Sequence, residues 1–241
     1  MGKKRRSGEF YKSVIVRLKE YRDQLGLTQE EMGRLLGVSQ SHYYKIEVEE
    51  NIISLNSLYH LQNQNVDVLW LLTGNKFPTQ PGVFDYYFEN CVSKKEKTAL
   101  FHAALWCLEQ GKQMNRKTDT DDIWNNTCKI LQVYMHDGKN HLLWENIRWV
   151  ENISQKEIAS KLEMTLSSYR KLEKEKIPAD AAILSALYGS LGYSPLLILN
   201  QEEYGIRAMN MIWETFEERL QKRLLAYIQM SYEIIKEHTE G

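Results

Sequence analysis

The fold of the chain is decided by the stretch LTQEEMGRLLGVSQSHYYKIE, residues 27–47. Thr28 and Glu31 have the spacing of a capping box. In this motif the Thr28 hydroxyl accepts a hydrogen bond from the Glu31 backbone amide, and the Glu31 carboxylate accepts one from the Thr28 backbone amide. Gly37 can adopt the left-handed conformation that ends a helix. Ser39 is a favourable N-cap for the next helix. The stretch therefore predicts two short helices joined by a tight turn.

A longer helix precedes this pair. Apolar residues recur at steps of three and four between Val14 and Leu25, which is the pattern of an amphipathic helix. Two short helices joined by a tight turn are typical of a helix-turn-helix unit. Helical periodicity continues along the chain, which has only 4 Pro and 13 Gly in 241 residues. We therefore predict an all-α fold.

Charge and composition restrict the possible functions. A formal net charge of -1 argues against a protein that coats nucleic acid over its whole surface, so any DNA contact must come from a local basic face. Residues 1–46 supply such a surplus, with ten Lys and Arg against five acids. The segment Lys3-Lys-Arg-Arg6 is either an arm that follows the DNA backbone or a solvated tail.

Other classes of protein are disfavoured. The 3 Cys are widely spaced, which predicts neither a disulfide framework nor a zinc site. No segment approaches the roughly 18 apolar residues of a membrane span, so we expect a cytoplasmic protein without membrane attachment. The sequence has no phosphate-binding glycine loop, no metal-ligand cluster and no motif around a nucleophile. We expect no enzyme activity, no metal and no cofactor.

The N-terminal residues resemble the lambda-repressor/Cro (XRE-type) family of transcriptional regulators. The resemblance is carried by Arg22, Leu27-Thr-Gln-Glu-Glu31, Gly37-Val-Ser-Gln-Ser41, Lys45-Ile-Glu47 and Leu69-Trp-Leu-Leu-Thr-Gly74. It implies a five-helix domain over residues 1–74 that binds double-stranded DNA. It also implies that the helix from Ser39 to Glu47 lies in the major groove.

The resemblance implies roles for individual residues. It places Gln40 against base edges, where an amide can donate to and accept from adenine, and makes Ser41 and Lys45 further candidates for base contact. Phosphate contacts are expected from Gln29, Ser39, His42 and Tyr43. Arg22 and Glu47 pair beneath the DNA-contacting helix in the family, and we expect this structural role here.

The second half of the chain repeats the first at a shift of 126 residues. The shift aligns Thr28-Gln-Glu-Glu31 with Ser154-Gln-Lys-Glu157 and Lys45-Ile-Glu47 with Lys171-Leu-Glu173. We therefore predict a second, divergent five-helix domain over residues 141–200, with Arg148 and Glu173 as its structural pair. Its candidates for DNA contact are Gln155, Thr165, Ser167, Ser168, Arg170 and Lys171.

The second copy departs from the family at two positions. Leu166 replaces Gln40, which leaves an apolar side chain suited at most to a thymine methyl group. Glu163 replaces Gly37, so the turn requires another conformation or another residue for it. The copy is either a second DNA-contacting module, with half-sites about 34 Å or a multiple apart, or a module that binds protein or builds a dimer.

Residues 75–140 are interpreted as a helical linker, with a helix from Ser93 to about Gln110, a polar break, and a helix from Asp121 to His136. Its aromatic residues are interpreted as core and not as a ligand cage. The near-heptad spacing of apolar residues in 201–241 predicts one long C-terminal helix. This helix is expected to form a homodimer or to fold back across both modules.

The leading interpretation is a sequence-specific transcriptional regulator, a repressor of the kind carried by phages and mobile elements. The alternative is an interaction protein, such as an antitoxin-like or inhibitor component, that uses helix-turn-helix folds to bind protein partners. The sequence does not identify a protein or peptide effector.

Overall fold

A computed structural model describes residues 8–75, 81–114, 129, 133, 142–199 and 201–238, with the side chains of 201–204 excepted. These residues form helices and loops, with one isolated antiparallel bridge and no strand among them. The predicted all-α class is therefore confirmed for the described part of the chain. The basic segment 3–6 and nearly all of the helix predicted over 121–136 lie outside it.

Five helices form the N-terminal module, residues 8–75. They are α1 (Glu9–Gln24), α2 (Gln29–Leu35), α3 (Gln40–Glu47), α4 (Leu55–Asn63) and α5 (Val68–Thr73). Helix α1 begins five residues before the predicted Val14, whereas α2 and α3 begin where their caps predict.

The capping and turn features predicted for α2 and α3 are present. The Thr28 hydroxyl accepts from the Glu31 amide at 3.2 Å, and the Glu31 carboxylate accepts from the Thr28 amide at 2.8 Å. Gly37 has a positive φ of 68°. The Ser39 hydroxyl accepts from the His42 amide at 3.3 Å. The capping box, the left-handed turn and the N-cap are therefore confirmed.

Five helices also form the C-terminal module, residues 142–199. They are α8 (Leu143–Val150), α9 (Gln155–Lys161), α10 (Leu166–Glu173), α11 (Ala181–Leu191) and α12 (Leu196–Leu199). Ser154 closes a capping box with Glu157, and Thr165 caps α10. Glu163 takes the left-handed conformation itself, with φ 51°, so the expectation that another conformation or residue was needed is wrong.

The chain divides into two compact units. Unit 1 comprises residues 1–78 and 135–199 and thus contains both modules. Unit 2 comprises residues 79–134 and 200–241, so segments that the sequence analysis treated as a linker and a separate C-terminal helix contribute to the same unit.

Helix α11 lies at the centre of unit 1. It packs against α1 and α5 of the N-terminal module as well as against α9 of its own module. Every residue from Ala181 to Leu187 is buried. A helix that is buried all round belongs to a core shared by its neighbours, so the two modules share one core.

Unit 2 contains α6 (Val83–Glu89), α7 (Lys94–Met114), α13 (Gln201–Trp213) and α14 (Glu218–Glu237). The prediction of one long C-terminal helix is wrong, because the chain leaves helical geometry between Trp213 and Glu218. Phe216 in this break is buried, and its ring occupies the space beside Gly111, where an added Cβ would lie 2.2 Å from a ring carbon. Helix α7 continues through Gly111 to Met114, beyond the predicted end at Gln110.

The near-heptad apolar residues of this segment are mostly used inside unit 2. Met209, Trp213, Phe216, Leu224 and Ile228 are buried in a cluster with residues of α6 and α7. The homodimer through this segment stays a prediction, but most of the apolar stripe that suggested it is covered within unit 2, whereas Ile234 near its C-terminal end is 49% exposed. No helix among the described residues has the length and hydropathy needed to span a membrane.

Candidate nucleic-acid interface

Helix α3 has one buried and one exposed face. Tyr43, Ile46 and Glu47 are buried against the module. The exposed side chains include all three predicted base-contacting residues and are Gln40, Ser41, His42, Tyr44 and Lys45. The structure thus leaves Gln40, Ser41 and Lys45 accessible on a helix whose opposite face is fixed to the core.

Tyr43 was predicted to contact phosphate, and this prediction is wrong. Its side chain has 0% exposure, and its hydroxyl donates to Glu47 Oε1 at 2.8 Å. The reason is helical spacing, since position 43 shares the inner face of α3 with positions 46 and 47. Tyr44 is the exposed tyrosine.

Glu47 is the centre of a hydrogen-bond network beneath α3. Arg22 Nε donates to Glu47 Oε1 at 2.8 Å, and Gln29 Nε2 donates to Glu47 Oε2 at 2.7 Å. Arg22 also donates through a second guanidinium nitrogen to the Leu27 carbonyl at 3.1 Å. The structure therefore brings Arg22 and Glu47 together as the structural pair that the resemblance implied, and α1, α2 and α3 are joined at one carboxylate.

The charge of this carboxylate is stabilised by its partners. Burial alone raises the pKa of Glu47, but its hydrogen-bond donors and the guanidinium charge outweigh burial and lower it. Burial is also the main reason that the pKa of Tyr43 is raised, so its hydroxyl remains a donor. The network consequently keeps one anionic acceptor and its donors in fixed geometry under α3.

Two phosphate candidates already have partners within the module. The Gln29 amide nitrogen is engaged by Glu47. Ser39 caps α3, and its hydroxyl lies 3.2 Å from that of Ser41. Both residues sit at helix N-termini, where backbone amides favour anions. They remain predicted phosphate contacts, although the Ser39 side chain also caps α3 and the Gln29 side chain also binds Glu47.

The described N-terminal module is not basic by itself. Residues 8–75 contain six Lys and Arg against nine Asp and Glu. Around the end of α3, Lys45 is followed by Glu47, Glu49 and Glu50. The basic surplus of the N-terminal region therefore comes from segment 3–6.

The C-terminal module contains the same network around Glu173. Arg148 Nε donates to Glu173 Oε1 at 2.8 Å, and the Tyr169 hydroxyl donates to the same oxygen at 3.2 Å. Gln155 Nε2 donates to the other carboxylate oxygen. Two contacts have no counterpart in the N-terminal module. The Tyr169 hydroxyl shares its hydrogen with the Trp144 carbonyl at 3.1 Å, and Arg170 Nε donates to Gln155 Oε1 at 3.1 Å. The second contact fixes a guanidinium on the exposed side of α10.

The exposed surface around α10 is basic. Within residues 151–176 six cations are exposed against two carboxylates, Glu157 and Glu175; the cations are Lys156, Lys161, Arg170, Lys171, Lys174 and Lys176. Sequence reasoning named only Arg170 and Lys171. The alignment of the two halves could have identified Lys156 as a further cation, because it occupies the position of Glu30 and has the opposite charge.

The other candidates of this module lie at the start of α10. The Thr165 hydroxyl accepts from the Ser168 amide at 3.1 Å and donates to the Ser168 hydroxyl at 2.9 Å. Ser167 is exposed, whereas Leu166 and Ser168 are half-buried. No cluster of three or more His, Cys, Asp or Glu side chains suited to a metal ion occurs in the described part of the chain.

Comparison with known proteins gives one match. A helix-turn-helix family model matches residues 18–61, from the second half of α1 into α4. The match indicates a DNA-binding transcription regulator of the XRE type. No curated protein and no solved structure matched the chain.

Proposed function

We propose that this protein is a sequence-specific transcriptional regulator that inserts α3 into the major groove of duplex DNA. The observation that carries the proposal is the two-sided nature of α3. Its inner face is held by the Glu47 network, and its outer face presents Gln40, Ser41 and Lys45 to solvent. A rigid helix with exposed amide, hydroxyl and ammonium groups is suited to hydrogen bonding with base edges.

The proposed contacts have separate chemical roles. Gln40 donates to and accepts from one adenine, while Ser41 and Lys45 contact neighbouring bases on the same groove wall. The helix N-termini at Gln29 and Ser39 place backbone amides against phosphates. His42 contacts the phosphate backbone of the DNA beside them.

We propose that regulation is repression, as in regulators of phages and mobile elements, because a protein bound across a promoter blocks polymerase by occupying its site. A reporter driven by a promoter that contains the selected site tests this. Expression should be low with the natural protein and high with Gln40→Ala. Equal expression with both proteins, or higher expression with the natural protein, would contradict repression.

Selection of binding sites from random duplex DNA tests DNA recognition itself. The natural protein should enrich one sequence, and Gln40→Ala should lose about 1–3 kcal/mol of discrimination at a single base position. Gln113→Ala, at an exposed position of α7 in unit 2, is the matched control and should leave the enriched sequence unchanged. If no sequence is enriched at any salt concentration, the proposal fails and the alternative, a protein-binding role for these folds, gains support.

A further inference from the structure

Helix α14 has a stripe of exposed residues on its solvent side. The members of this outer stripe recur at alternating steps of four and three, so they lie along one side of the helix. All of them are exposed, and they are Arg219, Arg223, Ala226, Met230, Glu233 and Glu237. The outer stripe is distinct from the near-heptad apolar residues of the same segment, which are mostly buried in unit 2.

The charges of the outer stripe are ordered along the helix. Both cations come first, both anions come last, and the two uncharged residues lie between them. Reversing the stripe end to end exchanges Arg219 with Glu237. It also exchanges Arg223 with Glu233, and the two uncharged residues with each other. The outer stripe is therefore complementary in charge to its own reverse.

The other charges of α14 already have partners inside unit 2. Glu218 pairs with Lys222 at 2.7 Å, and Lys236 pairs with the buried carboxylate of Glu96 at 3.3 Å. No ion pair joins a charged residue of the outer stripe to another residue that the structure describes. The four charges that α14 does not pair locally are thus the four that form the self-complementary order.

An apolar surface borders the middle of the outer stripe. Trp106 of α7 is 47% exposed, and its ring centroid lies 4.5 Å from that of Tyr227, the residue after Ala226. Met230 is 52% exposed, and Ile234 beside it is 49% exposed. An apolar centre that contains an exposed tryptophan, with polar groups around it, is the usual composition of a protein interface.

We propose that the outer stripe of α14 is the contact surface between two copies of this chain, with the two α14 helices packed antiparallel. In this arrangement Arg219 faces the partner's Glu237, and Arg223 faces the partner's Glu233. A parallel arrangement would place like charges against each other, so the charges select the antiparallel one. The proposal concerns unit 2 and is independent of the role proposed for α3 in DNA binding.

The order of the charges is also the reason for choosing a second copy as the partner. A contact across a two-fold axis brings the same patch of both copies together, so the patch must be complementary to itself. The outer stripe meets this condition at both of its charged pairs and at the uncharged pair between them. A partner of different sequence would impose no such condition on this helix.

Sedimentation of the full chain over a series of concentrations tests self-association. Helix α14 has 20 residues and is about 30 Å long, so the contact belongs to the smaller class of interfaces. With a Kd in the micromolar range, a dimer should predominate at about 100 µM and dissociate on dilution. It should also weaken as salt rises, because exposed charges are screened. A chain that stays monomeric at that concentration in low salt overturns the proposal.

Charge reversal identifies the surface. The acidic variant is Arg219→Glu, Arg223→Glu, and the basic variant is Glu233→Arg, Glu237→Arg. Each variant alone should dimerise at least roughly 10-fold more weakly than the natural protein, because like charges then face each other at every charged pair. An equimolar mixture of the two variants should dimerise again, because every charged pair then joins opposite charges.

The control for these variants is Lys156→Glu, Lys161→Glu, at two exposed positions of unit 1. It changes the net charge by the same amount as the acidic variant and should dimerise like the natural protein. If the acidic and basic variants also dimerise like the natural protein, with circular dichroism showing that they are folded, the outer stripe is not the contact. Failure of the mixture to dimerise overturns the proposal as well.

A cross-link tests the orientation of the two helices. A mixture of Arg219→Cys chains with Glu237→Cys chains should form a disulfide between chains on oxidation, because positions 219 and 237 face each other in the antiparallel dimer. Neither variant alone should form more cross-linked dimer than the natural protein, which measures the contribution of the native cysteines. Absence of the cross-link in the mixture, or cross-linking within each variant alone, would overturn the antiparallel arrangement.

Discussion

The carboxylate beneath α3 is the position where a single substitution should have the largest effect on the N-terminal module. Glu47 is 6% exposed and accepts hydrogen bonds from Arg22, Gln29 and Tyr43 at 2.7–2.8 Å. Glu47→Ala leaves a buried hydroxyl and a largely buried guanidinium without their acceptor. Breaking a buried pair in this way costs about 3–5 kcal/mol. We expect the lower end of that range, because Arg22 keeps its bond to the Leu27 carbonyl.

Glu47→Gln should cost less, because it retains one side-chain oxygen as acceptor for Arg22 and Tyr43. It removes the charge and puts an amide nitrogen in place of the oxygen that accepts from Gln29, whose own amide can turn to present its oxygen. Hydrogen bonds to charged groups contribute roughly 1 kcal/mol more than neutral ones, so a loss of about 1–2 kcal/mol is expected. The pKa of Glu47 is lowered in the folded protein. Its stabilisation is therefore complete above the ordinary value of 4.5 and is lost as the pH falls through the folded pKa. The difference in unfolding free energy between the natural protein and Glu47→Gln should shrink below pH 4.5.

Urea unfolding followed by circular dichroism, at pH 7 and at steps down to about pH 3, measures both effects. Glu20→Ala, an exposed carboxylate on α1, is the control and should change stability by less than about 0.5 kcal/mol. Glu173→Ala removes the equivalent acceptor in the C-terminal module and should cost a similar amount to Glu47→Ala. If Glu47→Ala costs no more than Glu20→Ala, the network does not hold α3 in place.

Three further substitutions or deletions have defined outcomes. Gly37→Ala should destabilise the protein to urea by more than the roughly 1–2 kcal/mol cost of a left-handed alanine, because its Cβ would lie 2.7 Å from the ring of His60. Gly26→Ala, with φ 63° and open space around it, should show only the backbone cost, so equal losses would contradict the packing argument. Deleting residues 1–7 should lower the salt slope of DNA binding by up to about 4 if segment 3–6 contacts phosphates, and an unchanged slope would identify a solvated tail. Gly111→Ala should lower the melting temperature of unit 2 by overpacking the phenylalanine ring beside it, at a cost of about 1–3 kcal/mol, and an unchanged melting temperature would refute that contact.

The helix pair α2–α3 was predictable because its signals are local. The cap at Thr28, the turn at Gly37 and the cap at Ser39 each depend on hydrogen bonds within four residues. The inner and outer faces of α3 follow from helical periodicity, and so does the exposure of Gln40. Periodicity also places position 43 on the inner face, although residue type alone suggested a polar contact for its hydroxyl.

The features that sequence reasoning missed depend on contacts that are distant along the chain. The segment between α13 and α14 contains neither Pro nor Gly, and its break accompanies the burial of Phe216 beside Gly111. Glu163 occupies a left-handed position that favours Gly, and its carboxylate accepts from the amide of Glu9, 154 residues away. The packing of α11 between two modules likewise has no local sequence signal.

The packing of both modules into unit 1 has a consequence for dilute protein. A regulator assembled from two chains dissociates as its concentration falls, so its affinity for an operator depends on how many copies are present. Here the two modules belong to one chain, and their association is intramolecular, at an effective concentration that dilution does not change. The pairing of the two modules within one chain should therefore persist at any dilution, and the urea midpoint for unfolding of unit 1 should not depend on protein concentration.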